Sequence, residues 1–309
     1  MKENPKFIGR KYQEEEKEHF ASSLQSFSKE SSVPVEGELE KTLEEIKIIE
    51  TINSLLDSEL KSIGIKEYST LSAEKIHLLS NSVFLKKFPD TNAKGFFSST
   101  LDSVYLNKES TDTKARFLST LLHEAIHRAS SVKFYGDLEN SIYDARVGYR
   151  INSQWKDSGR QKRFRGFNEL MVDYTTYKIL SKNIEILESS FGITREDING
   201  PIYSYMDYEP ILSSIVKKIS EDKKTDPLEV FNNLEKGQFE NNIFVLKEIE
   251  NSFGEGSLSI LSLLSELKNK QENLLLDKMI FDYFGEEDAE KRKIIRSSII
   301  SFFNEKIKS

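Results

Sequence analysis

Two histidines four residues apart with a glutamate beside the first, His123-Glu124-Ala125-Ile126-His127, restrict this chain more than anything else in its sequence. For both imidazoles to grip one ion the segment has to be an α-helix, where positions i and i+4 stand one above the other. Glu124 is then rotated about 100° from His123, within reach of a water held on that ion. The flanking Phe117, Leu118, Leu121, Leu122, Ala125 and Ile126 cover much of the circumference, so the expected helix, from an N-cap at Asp112 to Ala129, is central and buried. Two of the chain's four histidines fall in this motif. Buried there, they are costly unless hydrogen bonds or a metal satisfy them.

The chain has 309 residues, long enough for one large or two smaller domains. Six prolines and fourteen glycines suggest long helices with short connections. A net charge of −7, with a pI near 5.4, argues against a nucleic-acid partner. The absence of cysteine removes disulfides, thiol catalysis and cysteine-ligated zinc. No apolar run follows the polar start, so a secretory signal is not expected. The most apolar later stretches, 257–267 and 294–303, are interrupted by Ser, Glu or Arg, and no transmembrane segment is expected. Cytoplasmic placement is the expectation, with leaderless export as the alternative.

Residues 1–35 read as a polar N-terminal arm, and 36–90 as a helical segment. Within the latter, Leu39, Leu43, Ile46, Ile49, Ile52, Leu56 and Leu60 step by threes and fours, which describes an amphipathic packing helix over 38–63. Residues 91–185 form the expected metal-binding core. It holds strands near Gly95-Phe96-Phe97 and Ser103-Val104-Tyr105-Leu106, another over 142–151, a polar loop over 154–165, and a second helix from Gly166 to about Lys182. Residues 186–309 are read as a helical C-terminal subdomain, with segments near 207–222, 227–235, 238–252, 256–282 and 286–308. The expected class is α+β, predominantly helical.

Zinc needs a third protein ligand. In the extended pattern H-E-x-x-H-x-x-G-x-x-H, Gly and His would stand where this chain has Ser130 and Lys133, which excludes that class. His19, in the charged arm, and His77, in what reads as a helical stretch, are poor partners, which leaves a carboxylate. Beyond His127 lies Asn168-Glu169-Leu170-Met171-Val172-Asp173. Glu169 and Asp173 share a helix face, so one can bind the ion while the other accepts a hydrogen bond from a ligating imidazole.

With both motifs in view, residues 95–185 resemble the gluzincins, the metallopeptidase clan that includes thermolysin. The resemblance rests on His123-Glu124-x-x-His127 followed by Asn168-Glu169-x-x-x-Asp173, and on the order strand, active-site helix, glutamate helix, helical C-terminal part. It implies a zincin-like core in which His123, His127 and Glu169 ligate one Zn2+ per chain. Glu124 would be the general base that takes a proton from a metal-activated water. Asp173 would orient His123, and Asn168 would brace the active-site helix. The strand near 95–106 would form the upper rim of a cleft for a peptide or protein substrate. No histidine follows His127, so a tyrosine is expected to stabilise the oxyanion. The candidates are Tyr149, Tyr174, Tyr203, Tyr205 and Tyr208, with Tyr208 preferred because Tyr208-Glu209-Pro210 opens a helix.

The basic cluster Arg160-Gln161-Lys162-Arg163-Phe164-Arg165 reads either as a solvated loop or as a rim for anionic substrate groups. Two competing functions are a catalytically silent zincin-fold module that binds a peptide or partner, and a helical interaction protein whose His and Glu pairs are structural. Neither accounts for the motifs as fully as peptide hydrolysis does.

Overall fold

The computed structural model describes residues 6–7, 35–66, 68, 70–89, 93–99, 101–130, 132–137, 142–155, 159–199, 205–267 and 269–306. At 6–7, 132–137, 142–146, 152–155 and 159–162 it describes the backbone alone. The first part of the chain runs β1 (Lys6–Phe7), β2 (Glu38–Leu39), α1 (Leu43–Ser62), β3 (Ile76–Leu79), α2 (Asn81–Lys87), β4 (Gly95–Ser98) and β5 (Ser103–Asn107). The motif helix α3 (Lys114–Ala129) follows, then β6 (Val132–Asp137), β7 (Ile142–Val147), β8 (Arg150–Trp155) and β9 (Gly159–Arg163). The rest is helical: α4 (Arg165–Lys182), α5 (Ile184–Phe191), α6 (Arg195–Asn199), α7 (Glu209–Lys223), α8 (Pro227–Phe239), α9 (Lys247–Phe253), α10 (Ser257–Leu261), α11 (Lys270–Gly285) and α12 (Ala289–Lys306). The chain is thus α+β and mainly helical, and no helix among the described residues is long and apolar enough to cross a membrane.

A four-stranded sheet of order β2-β3-β5-β4 carries α3 against it. The pair β3–β5 is parallel, while β2–β3 and β4–β5 are antiparallel, which leaves β4 at an edge. β4 approaches α3 so closely that a Cβ on Gly95 would lie 2.8 Å from Thr120 Cγ2 and 2.7 Å from Leu106 Cδ2. Glycine is needed there because no side chain fits between strand and helix. The second sheet, β1-β6-β7-β8-β9, is a meander from β6 to β9 with β1 parallel to β6.

Two apolar cores flank the glutamate helix. The first joins α1 (Ile48, Ile52, Leu56), the four-stranded sheet (Leu78, Val104, Leu106) and α3 (Leu118, Leu121, Ile126). The second is helical, with Ile211 and Ile215 of α7, Phe231 and Leu234 of α8, and Leu276 and Ile280 of α11. Helix α4 enters both: Val172, Ile179 and Leu180 join the first, and Phe167, Leu170 and Met171 the second. With apolar side chains all round, α4 lies between two packed bodies, as its sequence pattern requires.

Several expectations need correction. His77 lies on β3, whose four residues are all buried; a short apolar run buried on both faces carries no period that separates strand from helix. The 36–90 segment is therefore not simply helical, and it shares a sheet with 91–107. The N-cap of α3 is Thr113, whose hydroxyl accepts from Arg116 N–H, while Asp112 pairs with the Arg116 guanidinium. Where a polar loop was expected over 154–165, β8 and β9 form a hairpin. The expected 256–282 helix is broken after α10: Ser265 is left-handed at φ 60°, and Asn269 caps α11. His19 lies outside the described residues.

Candidate metal centre

Helix α3 is held at both ends. Thr113 caps its start, and near its end Arg128 forks onto both oxygens of Asp102 at 3.0 and 3.1 Å. Along the same face His123 and His127 point towards α4, their rings 4.8 Å apart and nearly perpendicular. Glu169, in the first turns of α4, completes the group. His123 Nε2, His127 Nε2 and Glu169 Oε2 form a near-equilateral triangle of 3.1, 3.1 and 3.2 Å. Tetrahedral ligands at about 2.0–2.1 Å from zinc stand about 3.3–3.4 Å apart, so this donor set fits the ion within a few tenths of an ångström.

The protons point to the same conclusion. His123 Nδ1 lies 2.8 Å from Asp173 Oδ1, so its Nδ1–H is donated there and, in the neutral ring, Nε2 presents a lone pair to the triangle. Glu169 Oε2 presents another. Lone pairs at 3.2 Å repel unless a cation stands among them. Without a metal, a proton is that cation. Burial disfavours a charged His123, but hydrogen bonds to Asp173 and Glu169 raise its pKa well above the ordinary imidazole value. Burial likewise opposes a charged Glu169, and His127 followed by His123 carries it well below the usual carboxylate range. The group is built for positive charge, and it could hold a metal ion. His127 and Glu169 are buried, while the His123 side chain keeps 19% of its surface accessible, so solvent reaches the group on that side.

Glu124 is 7% exposed, and its Oε2 accepts the Phe97 N–H of β4 at 2.7 Å. That bond aims the Phe97 amide away from β5 and towards the α3 side, along the free edge of the sheet. Asp173 uses both oxygens, the second accepting from Tyr205 N–H at 2.8 Å.

Asn168 does something other than brace α3. Its Oδ1 accepts the Tyr149 N–H at 2.8 Å, which fastens the β7–β8 turn to the start of α4. Gly148 in that turn has φ +57°, and a Cβ there would sit 2.5 Å from the same Asn168 oxygen. Tyr149 is fully buried, and its hydroxyl donates to Leu234 O of α8 at 2.5 Å. The turn is thus pinned on two helices and delivers Arg150, the next residue. Arg150 Nη1 stands 3.8 Å from Glu169 Oε1, too far for a hydrogen bond, and its buried Nε has no partner among the described residues.

The tyrosines sort by their partners. Tyr208 donates its hydroxyl to Asp277 Oδ2 of α11 at 2.7 Å, so the preferred oxyanion group is committed elsewhere. Burial, then the hydrogen bond to Asp277, raises its pKa beyond the ordinary phenol range. Tyr174 stacks on Phe231, and Tyr149 is structural. Tyr205 lies nearer the triangle: burial and then the Glu169 carboxylate raise its pKa. Tyr203 lies outside the described residues, as do the side chains of Arg160, Gln161 and Lys162, while Arg163 and Arg165 are exposed.

Compared with known protein families, with curated proteins and with solved structures, the chain has no match.

Proposed function

We propose that this chain is a zinc-dependent metallopeptidase of the gluzincin type, with a zincin-like core that uses His123, His127 and Glu169 as ligands. The observation that carries the reading is the 3.1–3.2 Å triangle of those three donors with the Glu124 carboxylate beside it. Two histidines and one carboxylate form a catalytic rather than a closed structural set, because one position stays open. Zinc, when bound, polarises the scissile carbonyl and lowers the pKa of water towards about 7.

The chain's own groups do the rest. An extended peptide lies along the free edge of β4 and takes main-chain hydrogen bonds there. Glu124, steadied at Oε2 by the Phe97 amide, accepts the proton of the attacking water on its other oxygen and passes it to the departing amine. Asp173 keeps the His123 ring in the tautomer a ligand needs. No covalent intermediate with the protein is involved.

The test is zinc content by elemental mass spectrometry, followed by cleavage of a broad peptide library. About one zinc per chain and chelator-sensitive cleavage are expected. Glu124→Gln should keep the zinc and lose turnover by about a hundredfold or more. A fully active Glu124→Gln variant would refute the mechanism, and a chain that takes up no zinc would refute the function.

A further inference from the structure

The reaction builds negative charge on the carbonyl oxygen, and no side chain named so far answers it. No histidine follows His127 in the chain. Among the described tyrosines near the centre, the Tyr208 hydroxyl is donated to Asp277, and the Tyr205 hydroxyl, beside Ser265, is an uncharged phenol. One strong donor near the metal ligands has hydrogen-bonding capacity to spare. The Arg150 side chain makes no hydrogen bond among the described residues: its Nε is buried without a partner, and its Nη1 makes only a loose ion pair, 3.8 Å from the Glu169 oxygen opposite the ligating one.

The buried Nε is costly until an acceptor completes it, because a buried donor without one loses its hydration for nothing, while the side chain as a whole keeps 21% of its surface open to an incoming group. Its position is also fixed. Tyr149, the preceding residue, is locked by Asn168 Oδ1 on one side and Leu234 O on the other. Gly237, inside α8, is required by that lock, since a Cβ there would fall 2.5 Å from the Tyr149 hydroxyl. A turn with two hydrogen-bonded anchors, a glycine of its own at Gly148 and a second, Gly237, facing it from α8, is more structure than a solvent-exposed arginine needs.

We propose that Arg150 is a catalytic residue that hydrogen-bonds the tetrahedral oxyanion of the substrate. The inference rests on the metallopeptidase reading above. When water oxygen adds to the carbonyl carbon, the C=O π pair moves onto the carbonyl oxygen, and the proton of the water goes to Glu124. Arg150 donates hydrogen bonds to that oxygen without giving up a proton. Collapse returns the pair to the C=O bond and breaks the C–N bond, and the nitrogen leaves with the proton from Glu124. A fixed positive charge in a water-poor site favours the adduct over the uncharged carbonyl, so it lowers the barrier more than it tightens substrate binding.

The experiment uses the full chain loaded with cobalt(II), whose visible absorption reports anions at the metal, and inorganic phosphate as a tetrahedral oxyanion probe. The wild-type protein should bind phosphate, and Arg150→Gln should weaken that affinity about ten- to a hundredfold with cobalt content unchanged. Neutral imidazole should bind both proteins equally. In steady-state cleavage by the zinc form, Arg150→Gln should lower kcat about a hundred- to a thousandfold and leave KM within about twofold. Arg150→Lys, which keeps the charge, should recover part of both effects and covers the case in which the glutamine variant does not fold. Equal phosphate affinity in wild type and Arg150→Gln would overturn the proposal. So would loss of cobalt, which makes Arg150 a prop for Glu169, or a raised KM with unchanged kcat, which makes it a ground-state anchor. A wild-type chain that takes up no metal refutes the metallopeptidase reading itself; full metal uptake with an indifferent Arg150 refutes only this step.

Discussion

Asp173 has both carboxylate oxygens committed, one to His123 Nδ1–H and one to the Tyr205 amide, so a single side chain orients a ligand and ties down the strand of chain that passes over it. Asp173→Asn exchanges an acceptor for an amide that can present either oxygen or nitrogen, and the His123 ring loses its fixed tautomer. Zinc affinity should fall about 10–100-fold, measured by competition with a chromogenic chelator. An unchanged affinity would mean that His123 is oriented by something else. At this scale the sequence was legible where helix geometry dictates spacing: i, i+4 stacks His123 over His127 on one face of a helix, and the same spacing stacks Glu169 and Asp173 on another. Arg150 was not legible. It is one of 44 basic residues, and only its unpartnered Nε together with its place 3.8 Å from Glu169 singles it out. Tyr208 was chosen for opening a helix, but a helix start says nothing about the far end of a side chain, which here reaches Asp277.

Two glycines show how elements, more than side chains, set the site. Gly148 sits at φ +57° with Asn168 Oδ1 where its Cβ would be, so Gly148→Ala adds both a strained backbone and a clash. A loss of about 1–3 kcal/mol in urea unfolding is expected, with lowered peptide cleavage because the turn carries Arg150. Gly95→Val should push β4 off α3 and release Glu124 from the Phe97 amide, which would reduce turnover with zinc content unchanged. Wild-type cleavage rates in that variant would show that the strand does not steady the base. The long helices could be read from their period because half of each faces a core. β3 and the β8–β9 hairpin could not, since one is too short and uniformly buried to show a period and the other is built mostly of polar residues.

Across the whole molecule, the His123–His127–Glu169 group and an ion cluster with buried carboxylates tie the parts together. Lys178 of α4 bridges Glu59 of α1 at 2.8 Å and Glu235 of α8 at 2.5 Å, and Lys182 reaches Glu59 at 3.1 Å. Burial by itself would raise the Glu59 pKa, but Lys178 and then Lys182 carry it below its usual value. A carboxylate with a lowered folded pKa stabilises the protein above its unfolded value of about 4.5, and that contribution disappears as pH falls through the folded value. Glu59→Gln should therefore cost about 1–3 kcal/mol near pH 7, and the gap to wild type should close in thermal melts as the pH falls below 4.5 and through the lowered folded value. A gap independent of pH would mean that the cost is packing rather than charge. Chelation should lower Tm as well, in proportion to the logarithm of free zinc on readdition, because the ion joins α3 to α4 only in the folded chain.

Helix α4 faces the sheet-backed core with Val172 and the all-helical core with Leu170 and Met171, within the same turns that hold Glu169 and Asp173. For anyone paring the chain down, this removes the obvious cut. A fragment ending before α7 would keep His123, His127 and Glu169 and yet strip the cover from one side of the helix that bears Glu169. Such a fragment is expected to aggregate rather than hold the three side chains in place. The C-terminal helices are the mould in which the candidate metal centre is set.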